Sequence, residues 1–374
     1  MYRKSMNLLA TALMLAASFL LPATAAKAAT VNTTGGAPTI DKTTLIIRPR
    51  THSHYYDKNN NHVVKWGWTP ELDFRVNGPL ASGSVFQVEV TTPDGKSWFS
   101  FDCQGSSGGE VRENETSKIA GCGRNLPGEN SSNAVGLYGL KISLKNELQG
   151  VSQTLMTGKF KVGKVFLGQI ENNKEHYNWY VDYDWLLPVA EVYAREPVEI
   201  YGNLDDSIAP LVANFWFRGN TDSQTEAYLF YNGREISNTA DSSKGASLGS
   251  TWVATSESSP FLWSVKQFTF TNTLVYNRED PDNHPDAFRM DKNPGEYEIK
   301  VLRKGKLVRA LKFTVGADRK ITDNGIAGQN ALGTRRMIVP AQVLGDEDGT
   351  RPDLEAWRAG AFFGNPLKGF NGQP

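Results

Sequence analysis

Residues 295–301 read Gly295-Glu296-Tyr297-Glu298-Ile299-Lys300-Val301, so that charged and apolar side chains alternate after the glycine. Residues 136–142 have a similar form, Gly136-Leu137-Tyr138-Gly139-Leu140-Lys141-Ile142. Each segment is followed by a polar turn and by a second alternating segment that ends in glycine, at residues 158–163 and 311–316. A period of two residues is typical of antiparallel strands that bury one face. Both pairs of segments therefore predict half-buried antiparallel strands.

Two further pairs of segments lie upstream and match in the same order. Residues 74–78 are similar to residues 215–219, and the turn Asp94-Gly95-Lys96 has a counterpart in Asn232-Gly233-Arg234. Four matches in one order predict that the chain contains a duplicated domain.

The predicted fold is all-β, with two tandem antiparallel β-sandwiches. The first covers residues 40–165 and the second covers residues 177–317, with a linker near residues 166–176. A glycine-rich extension, residues 318–374, follows and is predicted to be mostly irregular. Its one helical pattern lies at residues 352–360, where proline and acids come first and glycine comes last.

A resemblance to a known architecture rests on the turn before Tyr297. Asn293-Pro294-Gly295-Glu296-Tyr297 is similar to the tyrosine corner of immunoglobulin-like and fibronectin type III-like sandwiches. Residues 133–138 contain the same components with one extra residue. The resemblance implies that each tyrosine hydroxyl bonds back to the backbone and fixes the turn. It implies architecture and no activity, because such sandwiches have many unrelated functions.

The N-terminal residues have the layout of a secretory signal peptide. Arg3 and Lys4 precede an apolar run at residues 8–21, and a small-residue cleavage site ends at Ala28. The run is shorter than the roughly 20 residues that cross a bilayer. We therefore expect residues 1–28 to be removed and the mature protein to be secreted or periplasmic, with no membrane span. A buried N-terminal helix is the alternative.

The charge of the chain argues against one class of partner. The chain has 40 basic and 40 acidic residues, and removal of the leader takes away Arg3, Lys4 and Lys27 but no acid. The mature chain is therefore slightly acidic. Proteins that bind nucleic acid need a basic face for the phosphates, so no nucleic-acid partner is predicted.

The two cysteines, Cys103 and Cys122, enclose a polar segment rich in glycine and serine. An oxidising compartment favours a disulfide between them. Free or metal-binding thiols are the alternative, but the segment contains no histidine and no CxxC motif. The sequence therefore predicts a structural disulfide in the first half only.

Aromatic residues and carboxylates alternate at residues 177–185. A strand there would place aromatic side chains on one face and acids on the other, as suits a sugar-binding site. The candidate binding residues are Tyr177, Trp179, Tyr183, Trp185, Asp182 and Asp184. The alternative is that these rings form the core between the two domains. Three tryptophans are further candidates for exposed rings, Trp66, Trp68 and Trp263.

One loop has the spacing of a calcium site. Oxygen donors at alternate positions can surround Ca²⁺, and the candidate ligands are Asp280, Asp282, Asp286 and Asp291. Pro285 replaces the glycine of an EF-hand loop, so the alternative is a solvated connection. No other cofactor is predicted.

The sequence contains no coherent catalytic set. Residues 245–249 satisfy the GxSxG pattern, but polar residues flank them and no helix follows, as a hydrolase nucleophile would need. We therefore predict a non-catalytic binding or surface/structural protein, with a polysaccharide or a cell-surface protein as its partner. The alternative is an extracellular polysaccharide hydrolase that uses Asp182, Asp184 or His284.

Overall fold

Most of the chain lies in β-strands, as the alternating sequence predicts. The computed structural model describes residues 37–370 apart from residues 57–58, 104–115, 171–173, 196–197, 201–202, 206–207, 219–224, 241–245, 249–251, 254–262, 278–284, 331, 333–335 and 346–366. Almost all strand pairs are antiparallel, and the prediction of an all-β fold is confirmed. The described residues belong to one compact unit. The predicted signal peptide, residues 1–28, lies outside the described residues.

The described residues of the first half form eight strands. They are β1 (Thr39–Tyr56), β2 (His62–Asn77), β3 (Val85–Thr91), β4 (Ser97–Cys103), β5 (Thr116–Cys122), β6 (Gly136–Asn146), β7 (Val151–Ile170) and β8 (Lys174–Val181). One sheet has three strands in the order β1-β2-β5, and the other has five in the order β4-β3-β6-β7-β8.

The two sheets of the first half pack face to face through large aromatic side chains. The rings of Phe74 in β2 and Phe86 in β3 lie 5.7 Å apart, and those of Trp68 in β2 and Tyr138 in β6 lie 4.9 Å apart. All four side chains are buried in one continuous core. Because alternate residues of each strand enter this core, their neighbours face outward.

The predicted disulfide between Cys103 and Cys122 is confirmed. Cys103 ends β4 and Cys122 ends β5, and these strands belong to different sheets. The bond therefore joins the two sheets of the first half.

In the second half, the residues with a described position form fourteen strands. They are β9 (Val189–Ala194), β10 (Val198–Ile200), β11 (Asn203–Asp205), β12 (Ile208–Arg218), β13 (Thr225–Tyr231), β14 (Arg234–Asn238), β15 (Ala246–Leu248), β16 (Trp252–Val253), β17 (Trp263–Asn277), β18 (Phe288–Arg289), β19 (Gly295–Arg303), β20 (Lys306–Val315), β21 (Arg336–Pro340) and β22 (Gln342–Val343). The only α-helix in the described ranges is α1 (Ile326–Gln329).

Two larger sheets of the second half share a core. One contains β15-β17-β12-β9-β21, with β16 and β18 also on β17, and the other has the order β14-β13-β19-β20-β22. The latter matches the five-stranded sheet of the first half, since β3, β4, β6 and β7 correspond to β13, β14, β19 and β20. This matching order supports the duplication, which stays a prediction.

The boundary between the predicted domains needs a correction. The predicted linker, residues 166–176, contains the end of β7 and the start of β8, which pair with each other. The segment that was expected to open the second domain at residue 177 is therefore the edge strand of a first-half sheet. The chain passes to the second-half sheets at residues 182–188, after β8 and before β9.

The C-terminal extension contributes two short strands, although most of its described residues lie outside strands and helices, as predicted. Strand β21 pairs with β9, and β22 pairs with β20, so the extension completes both large sheets of the second half. Leu367 and Phe370, near the end of the extension, are buried in the same hydrophobic core as the residues of the first half. The helix predicted at residues 352–360 lies outside the described residues.

Both quoted tyrosines make the predicted hydrogen bond to the backbone. The hydroxyl of Tyr297 donates to the carbonyl of Asn293 at 2.7 Å, and that of Tyr138 donates to the carbonyl of Ala134 at 3.0 Å. Gly136 and Gly295, two residues before each tyrosine, have φ angles of 126° and 151°. Residues other than glycine rarely adopt such positive φ angles, which explains the glycine in each turn.

We expect Tyr297→Phe to lower the free energy of unfolding by about 1 kcal/mol, because a partly buried hydrogen bond is lost and the Asn293 carbonyl loses its donor. Urea titration followed by tryptophan fluorescence measures this change. The matched control is Tyr231→Phe, which removes an exposed hydroxyl bond to the carbonyl of Pro294 and should cost less. Equal losses in the two variants would contradict a stabilising role for the corner.

In the part of the chain that the structure describes, no helix has the length and apolar character that a membrane crossing requires.

Candidate functional site

The predicted aromatic face at residues 177–185 is mostly buried. Strand β8 ends at Val181, and a 3-10 turn at Asp184–Leu186 replaces the expected strand. Trp179, Tyr183 and Trp185 are each at most 3% exposed. These three rings therefore cannot stack on a sugar, and the core alternative holds for them.

Tyr183 shows what this buried segment does. Its hydroxyl donates to the carbonyl of Ile47 at 2.7 Å and accepts from the Ile47 amide at 2.5 Å. Burial raises the pKa of Tyr183 above its ordinary value, so the hydroxyl stays protonated. Tyr183 therefore links the connection between the two halves, residues 182–188, to strand β1 by hydrogen bonds.

The two candidate carboxylates have structural partners. Asp184 is 1% exposed, and its oxygens lie 2.8 Å from the indole Nε1 of Trp263 and 3.4 Å from Arg218. Asp182 accepts a hydrogen bond from the Asp184 amide at 2.9 Å and lies 3.9 Å from Lys161. Glycosidases need two carboxyl groups that flank a bound sugar. Asp182 and Asp184 are adjacent along one buried turn and do not face each other across a cleft, and His284 lies outside the described residues.

The three tryptophans that were expected to be exposed divide into two groups. Trp68 and Trp263 are fully buried, which corrects the expectation for them. Trp66 is half-buried, and its ring lies 4.4 Å from that of His176.

The proposed calcium ligands are only partly described. Asp280 and Asp282 lie outside the described residues, and Asp286 is exposed. Asp291 binds Arg289 through two hydrogen bonds of 2.9 and 2.7 Å. Among the residues with a described position, no cluster of three histidine, cysteine or acidic side chains could hold a metal ion. The calcium loop stays a prediction that Asp291 does not support.

One predicted binding residue, Tyr177, is half-buried and so partly accessible, and it has an aromatic neighbour. Phe166 in β7 lies directly opposite Tyr177 in β8, and the two rings are 5.6 Å apart with 63° between their planes. Phe166 is 52% exposed, and Leu167 beside it is 44% exposed. We call this surface, formed by Lys164, Phe166, Leu167, Glu175 and Tyr177, the aromatic end of the β7–β8 hairpin.

Charged groups border the two rings. The amino group of Lys164 lies 4.2 Å above the centre of the Tyr177 ring. The Tyr177 hydroxyl donates to Glu175 at 2.5 Å, and this hydrogen bond raises the pKa of Tyr177. The aromatic end therefore offers ring surface, an ammonium group and a carboxylate within one short hairpin.

The core pattern of the sandwich explains why Phe166 is exposed and Tyr177 is only half-buried. Along the hairpin, Val162 lies opposite Val181, Lys164 opposite Trp179, and Phe166 opposite Tyr177. Val162, Val181 and Trp179 are buried, whereas Phe166 is exposed. The apolar face of the hairpin thus extends beyond the buried core.

Strands β1 and β2 support the hairpin. The Thr51 hydroxyl donates to the side-chain oxygen of Asn178 at 2.6 Å, and Trp66 packs against His176. Both Asn178 and His176 lie in β8, at positions that alternate with Tyr177. Contacts with β1 and β2 therefore hold strand β8, and with it the aromatic end, in place.

Sequence reasoning missed Phe166 because it assigned that residue to a linker. The period-two pattern of β7 continues through Phe160, Val162 and Phe166, and this continuation was the available signal.

Comparison of the chain with protein-family models finds no matching family, and comparison with curated proteins finds no matching sequence.

Proposed function

We propose that this chain is an exported, non-enzymatic protein that binds a carbohydrate polymer through the aromatic end of the β7–β8 hairpin. One observation carries the proposal, namely the cross-strand pair of exposed Phe166 and half-buried Tyr177, with Lys164 and Glu175 beside it.

The chemistry of the aromatic end suits sugars. Aromatic rings pack on the apolar C–H faces of sugar rings, while a carboxylate and an ammonium group accept and donate hydrogen bonds to hydroxyls. The two rings are tilted by 63°, so they cannot both lie flat on a planar crystalline surface. They fit the curved outline of a single chain, which favours a soluble or gel-like polysaccharide.

Export is part of the proposal and has two supports. The N-terminal residues 1–28 have the form of a signal peptide. The Cys103–Cys122 disulfide fits an oxidising compartment, outside the cell or in a periplasm. An immunoglobulin-like origin for both halves is likewise proposed, and the two tyrosine-corner hydrogen bonds support it.

The proposal predicts that Phe166→Ala/Tyr177→Ala weakens binding to the cognate glycan about tenfold or more. Each ring contributes on the order of 1 kcal/mol, and about 1.4 kcal/mol corresponds to a factor of ten. A glycan array probed with the mature chain, with and without calcium, identifies the ligand. Isothermal titration calorimetry with that ligand then compares the variant with the wild type.

The matched control is Leu148→Ala, which removes a side chain that is 86% exposed in the turn between β6 and β7. Its affinity should equal that of the wild type. Absence of glycan binding by the folded wild-type chain, or equal affinity in the double variant, contradicts the proposal. Binding only with calcium present would support the predicted calcium loop as well.

A further inference from the structure

Strand β13 carries two aromatic residues on the outward side of its sheet. Ala227 and Leu229 are fully buried in the core of the second half, so Tyr228 and Phe230, which alternate with them, face away from that core. Both rings are half-buried. Residues two positions apart on a strand lie about 7 Å from each other. The two rings therefore follow one another along the strand.

Strand β19 places a charged residue beside each ring. Lys300 lies directly opposite Tyr228, and Glu298 lies directly opposite Phe230. The ammonium group of Lys300 lies 4.7 Å from the centre of the Phe230 ring and 3.1 Å from a carboxylate oxygen of Glu298. The Tyr228 hydroxyl donates to Glu226 at 3.0 Å. We call this surface, formed by Glu226, Tyr228, Phe230, Glu298 and Lys300, the β13 face.

The β13 face repeats the contacts of the aromatic end with the same types of side chain. In each surface a tyrosine hydroxyl donates to the glutamate two residues before it, which is Glu175 at the aromatic end and Glu226 on the β13 face. In each surface a lysine ammonium lies over an aromatic ring, 4.2 Å from the centre of Tyr177 and 4.7 Å from that of Phe230. The two surfaces belong to different sheets and share no residue. The same set of binding groups therefore occurs in both halves.

Charges of both signs border the rings of the β13 face. Acids on this outward side include Glu226, Glu235, Glu296 and Glu298, and lysines include Lys300 and Lys312. Because the signs are mixed, the surface offers no single-sign field for a polyanion or a polycation. Carboxylates accept hydrogen bonds from hydroxyl groups, and ammonium groups donate to them. The charge pattern therefore favours a neutral partner that is rich in hydroxyl groups.

We infer that the β13 face is a second carbohydrate-binding surface, which takes a neutral sugar chain along β13. The inference rests on the proposed function for the class of ligand, and on the contacts of the β13 face for its place. The rings of Tyr228 and Phe230 pack on the C–H faces of the sugar. The carboxylate of Glu226 and the ammonium group of Lys300 form hydrogen bonds with its hydroxyls.

NMR titration of the mature chain with cellohexaose, maltohexaose and mannohexaose tests this surface. The amide resonances of Glu298 and Lys300 report on the β13 face, and those of Phe166 and Tyr177 report on the aromatic end. We expect the sugar that shifts Phe166 and Tyr177 to shift Glu298 and Lys300 as well. Isothermal titration calorimetry with that sugar should then give two bound sugars per chain.

The variant Tyr228→Leu/Phe230→Leu should weaken binding at the β13 face about tenfold or more, because leucine keeps apolar bulk but has no ring to stack on a sugar. Calorimetry should then detect one sugar per chain instead of two. Tyr228→Phe keeps the ring and should retain both sugars. Since both side chains face away from the core, the unfolding temperature of the leucine variant should match that of the wild type. If this variant does not fold, the titration of the wild type still decides the inference.

The matched control is Leu307→Ala/Leu344→Ala. It removes two exposed apolar side chains near β20 and β22 of the same sheet and leaves β13 unchanged. This variant should still bind two sugars per chain. An equal loss in the control and in Tyr228→Leu/Phe230→Leu overturns the inference.

The NMR shifts separate the inference from the proposed function. Shifts at Phe166 and Tyr177 alone overturn the inference and leave the proposed function standing. Shifts at Glu298 and Lys300 alone support the inference and contradict the site of the proposed function. No shift at either surface with the three sugars overturns the inference, whereas the glycan array decides the proposed function.

A second copy of the chain is the other occupant that analytical ultracentrifugation tests. We expect Tyr228→Leu/Phe230→Leu to sediment as the wild type does. A wild-type dimer that this variant dissociates would assign the β13 face to a second copy and overturn the inference.

Discussion

Replacing Arg336 with methionine should lower the free energy of unfolding by about 3 kcal/mol or more, the range found when one partner of a buried ion pair is removed. The guanidinium of Arg336 binds Glu191 at 2.8 Å and also contacts the carboxylate of Asp41. Asp41 is 0% exposed, so the variant would leave a buried carboxylate without its cation. Methionine fills a similar volume, which limits the loss of packing. Equilibrium unfolding in urea measures the change.

The position of Arg336 explains the large effect that we expect on the free energy of unfolding. Arg336 lies in β21 of the C-terminal extension, Asp41 in β1 of the first half, and Glu191 in β9 of the second half. Burial disfavours the charge on Arg336, but the carboxylates of Glu191 and Asp41 outweigh this effect and raise its pKa. The cation therefore stays charged and links three parts of the chain.

Two variants separate the ion pair from the rest of the contact. The triple variant Arg336→Met/Asp41→Asn/Glu191→Gln should recover part of the stability, because neutral amides cost less to bury than charges. Lys320→Met, at an exposed position of the extension, should change the free energy of unfolding little. A loss below about 1 kcal/mol in Arg336→Met would contradict the buried ion pair.

The strands were predictable from sequence where their signal is local. Strands β6 and β19 begin at Gly136 and Gly295, as the quoted segments predict. Each of these strands pairs with the strand that follows it, because a short polar turn between two strands favours a β-hairpin. The hydrogen bonds of Tyr138 and Tyr297 to the backbone were also predictable, from the residues of the preceding turns.

Sheet membership and burial were less predictable. A period of two residues indicates a strand with one apolar face, but it does not say which sheet the strand joins or whether its face is covered. Residues 177–185 illustrate both points. Strand β8 belongs to a sheet of the first half and not of the second, and the alternating aromatic residues continue past the strand into a buried turn. The pattern was apolar because Trp179, Tyr183 and Trp185 are core residues.

Contacts between distant parts of the chain could not be predicted from local sequence patterns. Asp41 and Arg336 are separated by 295 residues, and no local pattern connects them. Arg75 and Lys118 meet only because β5 pairs with β2. Of the aromatic end, the sequence identified Tyr177 but not Phe166, whose exposure depends on where the sandwich core ends.

The double variant Cys103→Ala/Cys122→Ala should lose about 3 kcal/mol of unfolding free energy. The disulfide joins residues 19 positions apart, and a loop of that size restricts the unfolded chain by about that amount. Both cysteines are buried, so alanine avoids the cost of placing a serine hydroxyl in the core. Urea titration of the oxidised wild type and of the variant measures the difference.

Reduction tests the same bond without a mutation. A thiol reductant should lower the stability of the wild type to near that of the double variant, and it should leave the variant itself unchanged. A reductant effect on the variant would show a cause other than the bond, and equal stability of oxidised wild type and variant would contradict the expected contribution. Because the bond connects β4 and β5 across two sheets, its loss should also weaken the packing of Phe74 against Phe86. Faster amide exchange in β2 and β3 than in β19 and β20 of the reduced protein would be the specific sign of that weakening.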